Sequence, residues 1–292
     1  MAKPITYFHV GYAQVASTFL QKTVFPALIG LQYIPHGNFS VCEFEKKRFK
    51  KDKVLMSCEA GESIFDRCDR VWEIFQSKII VSVCRHDKLA ESSYRLYVQN
   101  GHTFGFADLL DVKDDYGVRK IKDWTYLNVL EYAEKLTGEK PLLLILEDYV
   151  NDPDFYIDSL CAYLECGIDR AKLNRQPLDN IYPDKQLRMR RKFSQQFLSP
   201  QESKKRLMAA ESKDYTTANS FKDKTLLKMS SGLTNLARFV PDSFVHSEPL
   251  FDDEHSKAIT DFFAPDWSAC FDYVEQQSER FGVSRNKAIS WK

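Results

Sequence analysis

The chain has 292 residues, of which 43% are hydrophobic, enough for a substantial core and against global disorder. Its 41 Lys and Arg balance 41 Asp and Glu, so no overall field draws it to nucleic acid or an anionic membrane, and any anion site must be local. The seven cysteines are scattered with no C-x-x-C pair, which argues for reduced thiols in a cytosol-like compartment and against a disulfide framework or zinc site.

No apolar run reaches the ~18 residues of a membrane span, and the N-terminus has no basic region followed by an apolar stretch. A soluble, cytoplasmic protein is expected. Ile5 to Val10 is rich in β-branched and aromatic residues and reads as a buried strand. Gly11 breaks it, and the small residues Ala13, Ala16, Ser17 and Thr18 follow. A helical pattern then runs from Ser17 to about Phe25, where Pro26 is expected to stop it. Strand, tight loop and helix in that order make an anion site, because loop amides and the helix dipole converge on one spot.

Leu31 to Ile34 reads as a short second strand. Glu43 to Lys53 is crowded with charge and is expected to be a solvated helix or loop, with phosphate binding by its lysines as the alternative. Val54 to Ser57 is a further strand with Glu59 just beyond it. Ile64, Phe65, Cys68, Val71, Trp72 and Phe75 have helical spacing within Gly61 to Gln76. Ile79 to Cys84 is a strand of the kind buried on both faces of a parallel sheet, and Arg85 ends it. Asp87 is expected to cap a helix that runs to about Gln99 and ends at Asn100-Gly101.

His102 to Asp123 lacks a period and holds four aspartates, Asp108, Asp111, Asp114 and Asp115, before its last residue; it is the candidate acceptor-recognition segment. Trp124 to Leu136 is helical, Leu142 to Leu146 is the most hydrophobic strand, and Pro153 opens a helix reaching about Cys166-Gly167. This alternation predicts an α/β fold with a central parallel sheet flanked by helices. Ligands of such sheets lie beyond the carboxyl ends of the strands, where Gly11 to Thr18, Glu59 and Arg85 all fall. Beyond Gly167 the pattern changes to a loop at Asn174 to Pro183 and a dense basic run at Lys185 to Lys192. Helices follow from Ser199-Pro200, within Thr217 to Phe239, and over Asp261 to Phe281 with an interruption near Pro265. With no repeat and no clean linker, a single domain over 1–292 is expected, with an α/β core at 1–166 and a mostly helical part at 167–292.

Laid on the nucleotide P-loop pattern, Gly11 is the first glycine, Ala16 replaces the second, Ser17 stands at the lysine and Thr18 is retained. The missing lysine disfavours a kinase. The loop instead resembles the 5′-phosphosulfate loop of the PAPS-dependent sulfotransferases (PAPS is 3′-phosphoadenosine 5′-phosphosulfate). Tyr12, Ala16, Ser17, Thr18, Phe19 and Leu20 fit that loop. Ala13 and Val15 depart from it, and Gln14 stands where the family has a lysine. Arg85 and Ser93, eight residues apart and followed by Tyr94, match the family's second motif, with Asp87 in place of its proline. Leu146-Glu147-Asp148 and Asp152-Pro153 resemble a third, largely structural stretch. The resemblance covers about residues 5–166 and is greatest to the divergent bacterial branch.

The resemblance implies a P-loop-type three-layer fold, PAPS as cosubstrate and PAP as product. It implies a hydroxyl or amine of a carbohydrate or small molecule as acceptor. With no HExxH, no paired Cys/His set and no EF-hand loop, no metal is expected, and the charge balance predicts neither a nucleic acid nor a membrane as partner. The resemblance assigns the donor's 5′-phosphosulfate to the loop of Gln14, Val15, Ala16, Ser17 and Thr18, the adenine to Phe19, and the 3′-phosphate to Arg85 and Ser93; the alternative reading of the last two is an Arg85 paired with a structural carboxylate and a Ser93 that faces solvent. It places the base at Glu59, with Glu62 and then His36 and His9 behind it; a surface or capping glutamate is the alternative reading of Glu59, and buried structure inside a strand is the expected reading of His9. Phe19 would pack on adenine or be plain core. One of Lys185, Arg188, Arg190 and Arg191 would reach a phosphate or the run would be a solvated face. Gln14 enters the catalytic set through its position by the bridging oxygen, and it keeps open a second reading, a non-catalytic PAP- or PAPS-binding protein. The oligomeric state is left open.

Overall fold

Short runs of branched aliphatic and aromatic residues build one parallel sheet. Its strands are β1 (Ile5–Gly11), β3 (Gln32–Ile34), β4 (Lys53–Glu59), β5 (Lys78–Val83) and β6 (Leu142–Ile145), in the order β3-β4-β1-β5-β6. A computed structural model describes residues 4–12, 17–35, 49–59, 64–173, 182–197 and 249–285. The expected α/β class, a central parallel sheet flanked by helices, is the observed one. Chain contacts divide into two units, the first of Met1–Leu89, Lys122–Leu178 and Phe262–Lys292, the second of Ala90–Ile121 and Asp179–Asp261.

The first unit holds the whole sheet. Alternation splits its residues between two buried faces. Tyr7, Leu55, Ile80, Leu142 and Leu144 pack with Leu20, Val24, Phe25, Tyr156 and Leu160 on one side. On the other, α3 (Ile64–Phe75) buries Ile64, Cys68, Val71 and Phe75, and α6 (Tyr126–Thr137) buries Val129, Leu130 and Ala133. Gly138, at φ 73°, closes α6 in the left-handed conformation that glycine adopts without strain. The start of α6 is satisfied from a distance: Tyr126 N and Leu127 N donate to the two oxygens of Asp266 at 2.9 and 3.0 Å. The outer edge of β6 is met by a side chain, Gln277, which accepts from Leu143 N at 2.8 Å and donates to Leu143 O at 3.1 Å.

Three boundaries differ from expectation. Pro26 does not stop the first helix. The chain runs through α1 (Ser17–Phe19), a π-helical turn (Leu20–Val24) and α2 (Phe25–Ala27), with Phe25 N donating to Leu20 O. The wider i→i−5 turn gives the proline ring the room an ordinary turn denies it. Nor does Pro265 interrupt the last helix, α10 (Asp253–Phe281), which starts earlier than expected. Ile259, Phe263, Asp266, Cys270, Val274 and Gln277 are buried at three- and four-residue spacing straight through it, a stripe whose burial outweighs one lost hydrogen bond. Finally, α4 (His86–Gln99) begins before Asp87, so Asp87 lies inside its first turn and is no cap.

Further described elements are β2 (Leu28–Ile29), α5 (Ile121–Trp124), α7 (Leu146–Asn151), α8 (Pro153–Leu164), β7 (Gly167–Ile168) and a 3-10 turn (Arg170–Lys172). β2 and β7 form an antiparallel pair. In the second unit, Tyr94, Phe106 and Phe251 form an aromatic cluster, with the Arg95 guanidinium 4.8 Å from the Phe251 ring. The irregular segment from His102 is held by its own aspartates: Asp108 accepts from Gly105 N, Asp111 from the amides of Lys113, Asp114 and Tyr116, and Asp115 from Ile121 N. The basic run lies on α9 (Asp184–Phe197). There Arg190 is buried and Arg191 donates to the carbonyls of Pro249 and Leu250. The charged run before residue 49 and the helices expected between residues 198 and 248 lie outside the described residues.

Candidate functional site

Parallel register decides which residues share the carboxyl edge of the sheet. Gly11, the last residue of β1, stands opposite Glu59 at the end of β4 and opposite Ser82 in β5. Arg85 follows β5 by two residues, and Glu147 stands just past β6. The edge that should bind a ligand in such a sheet therefore carries the candidate loop, the candidate base and the candidate phosphate fork on three adjacent strands.

The loop is anchored on both sides. Tyr12 is buried, its hydroxyl donates to Asp123 O at 2.6 Å, and its ring lies 5.4 Å from Tyr126. Ser17 is fully buried, and its hydroxyl donates to Tyr12 O at 3.4 Å across the loop. A Cβ on Gly11 would overlap Ser82 Oγ and lie 3.0 Å from Ser17 Oγ, so only glycine lets β1 pass between them. Thr18 is partly buried. Phe19 packs its ring 4.3 Å from that of Tyr149, at 37° between planes, against the sheet's core. Gln14, Val15 and Ala16 lie outside the described residues, as do His36 and Glu62. The backbone of Glu59 closes β4, and its side chain is likewise outside what is described.

A buried polar chain runs beneath the loop. His9 bonds Ser57 Oγ through Nδ1 and Ser82 Oγ through Nε2, each at 2.9 Å, and Gln21 Nε2 donates to Ser57 Oγ at 3.0 Å. Burial pushes the His9 imidazole down to about 3, so it is neutral at any ordinary pH. A neutral ring supplies one donor and one acceptor, which matches two hydroxyls that can each do either. His9 is thus a structural tie across β4, β1 and β5. Its signal in the sequence is a polar residue inside each of three otherwise apolar strands.

Arg85 is paired with a carboxylate, the alternative expected for it, and the partner is Asp87. Its Nε donates to Asp87 Oδ1 at 2.6 Å and its Nη2 to Asp87 Oδ2 at 2.8 Å, the two-pronged geometry by which arginine binds phosphate. Burial would raise the Asp87 carboxyl. The hydrogen bonds and charge of Arg85, with Lys88, outweigh that and hold it below its usual value. The Arg85 amide donates to Glu147 Oε1 at 2.9 Å. The other Glu147 oxygen is buried with no hydrogen-bond partner among the described residues, and burial holds this carboxyl above its usual value. A Glu at that place read as structural; the geometry puts it directly behind Arg85. Ser93 is partly buried in α4.

Among the described residues, no group of three or more His, Cys, Asp or Glu is placed to hold a metal ion, and no helix is long and apolar enough to cross a membrane.

No family model matches the sequence, and no curated protein is similar to it. Solved structures similar to the chain include two sulfotransferases. A sulfotransferase from Alicyclobacillus acidocaldarius aligns over 61% of this chain and 88% of its own, with 15% identity and a TM-score of 0.43. Mouse sulfotransferase SULT7A1, complexed with PAP, aligns over 94% of this chain and 90% of its own, with 13% identity and a TM-score of 0.44.

Proposed function

We propose that the chain is a sulfotransferase that moves the sulfuryl group of PAPS to a hydroxyl or amine of a carbohydrate or small molecule in the cytoplasm. The observation that carries this reading is the carboxyl edge of the sheet, where the glycine-initiated loop, Glu59 and Arg85 close three neighbouring strands. Loop amides, with the side chains of Gln14, Ser17 and Thr18, hold the 5′-phosphosulfate at the start of the first helix. Val15 and Ala16 contribute backbone amides, and Phe19 flanks the adenine. Arg85 and Ser93 bind the 3′-phosphate. Glu59 takes the acceptor proton as oxygen or nitrogen attacks sulfur in line. Gln14 donates a neutral hydrogen bond to the bridging oxygen, where a lysine would supply a full charge.

A second reading, a protein that binds PAP or PAPS without turnover, is favoured by Gln14, which lacks the charge that would stabilise the leaving group; losing one such donor costs on the order of 10²–10³ in rate. Calorimetry with PAP, followed by release of PAP from PAPS with pooled acceptors, separates the readings. Binding with turnover is the expected result. Binding without turnover selects the second reading. Absence of PAP binding both in the wild type and in Gln14→Lys would overturn both.

A further inference from the structure

Helix α8 ends in a turn that places two thiols together. Cys166 N donates to Cys161 O at 3.1 Å and Glu165 N donates to Ala162 O at 3.2 Å, with Glu165 left-handed at φ 47° and ψ 52°. These are the paired bonds of a Schellman motif, with Cys161 three residues before the cap and Cys166 just past the turn. Side chains at those two positions characteristically touch, ordinarily as an apolar pair. Here both are cysteines, half-buried and therefore open to small reagents.

Their surroundings make the two thiols unequal. The neighbouring Cys161 thiol, with the charge of Lys53, holds the Cys166 thiol below its usual value against the effect of burial. The proximity of Cys166 and burial push Cys161 up, with Asp158 adding to the rise and Arg170 opposing it. The Lys53 ammonium is fixed beside the turn by Leu164 O at 3.4 Å, by Glu165 O at 2.8 Å and by the Glu165 carboxylate at 3.0 Å. One thiol is thus prepared as nucleophile and its neighbour as the group that resolves it.

We infer that Cys161 and Cys166 are a redox-active pair that a peroxide converts into an intramolecular disulfide. The Cys166 thiolate attacks one peroxide oxygen, the O–O bond breaks, and a sulfenic acid forms as hydroxide leaves and takes up a proton to become water. Cys161 sulfur then attacks the sulfenic sulfur. The S–S bond forms, its S–O bond breaks, and the Cys161 proton leaves with the hydroxide as a second water. Two thiols lose two electrons and one peroxide gains them. The modification sits at a sensitive joint: β7 follows Cys166 directly and pairs with β2, and Asp169 N donates to Ala27 O at 2.9 Å, at the end of the helix that leads out of the candidate loop.

The test is to treat the full chain with hydrogen peroxide, alkylate under denaturing conditions, and map the seven cysteines by mass spectrometry. The expected result is loss of alkylation at Cys161 and Cys166 alone, with a non-reduced peptide two hydrogens lighter and full recovery on treatment with dithiothreitol. Cys161→Ala should then leave a Cys166 sulfenic acid that dimedone traps. Alkylation of all seven after treatment, or pairing of Cys166 with another cysteine, overturns the inference. So does equal dimedone trapping at Cys166 in wild type and Cys161→Ala, which reads the chemistry even if the variant is less stable.

Discussion

Arg85 and Asp87 grip each other through the two donors on one edge of the guanidinium, at 2.6 and 2.8 Å, where β5 gives way to the helix that follows it. The carboxylate, nearly buried, presents two oxygens to the fork as a phosphate would. Any phosphate bound by Arg85 must share this fork with Asp87 or displace it.

Asp87→Asn should therefore tighten PAP binding about tenfold, since a hydrogen bond to a charged group is worth about 1.5–3 kcal/mol and the carboxylate now competes for it. Arg85→Ala should abolish the gain in the double variant. Calorimetry at fixed ionic strength checks both; unchanged or weaker binding in Asp87→Asn would mean that the carboxylate positions Arg85 for its ligand.

The neutral His9 beneath the loop ties stability to pH. Its folded value of about 3 lies below the usual imidazole value, so over the window between them the unfolded chain binds the extra proton and stability falls as pH falls. Asp148 acts in the opposite sense. Burial lifts its carboxyl to about 6 despite the Arg285 ion pair, so its contribution falls as pH rises toward 6. Comparing wild type with His9→Gln in urea isolates the histidine. The wild-type advantage should shrink by about 1.4 kcal/mol per pH unit below pH 6, and a constant difference would place the proton elsewhere.

Gly11→Ala should destabilise the fold by about 1–3 kcal/mol, because the added methyl meets Ser82 Oγ, and that hydroxyl cannot turn away without releasing His9. Chemical denaturation measures the loss, and PAP titration of the folded fraction should show weaker binding, since the loop begins at this residue.

Asp266→Ala removes both acceptors for the first amides of α6 and leaves them buried. The expected cost is about 2–4 kcal/mol, read from the urea midpoint. Asp266→Asn, which keeps one acceptor, should recover part of it.

Much of this architecture is legible in local residue pattern. Short runs of β-branched and aromatic residues mark every strand of the sheet, and period-3.6 stripes mark the longer helices that cover it, because burial on a regular element shapes the residues along it. Proline was misread twice, at Pro26 and Pro265, since its local penalty is visible in sequence and the apolar stripe or widened turn that absorbs it depends on distant partners. The same applies to the site. The meeting of Gly11, Glu59 and Arg85 at one edge follows from strand order, but the Asp87 carboxylate in the Arg85 fork depends on where the first helical turn begins, a matter of one residue. His9, Ser57 and Ser82 were each visible as polar interruptions; that they answer one another required the register of three strands.

Gln277 gives β6 what a sixth strand would give it at Leu143, one acceptor and one donor in the plane of the sheet. An exposed strand edge is a template for another chain. By spending a single side-chain amide there, the last helix fills the pairing position at Leu143, so a stray β segment, from this molecule or a neighbour, finds no vacancy at that point.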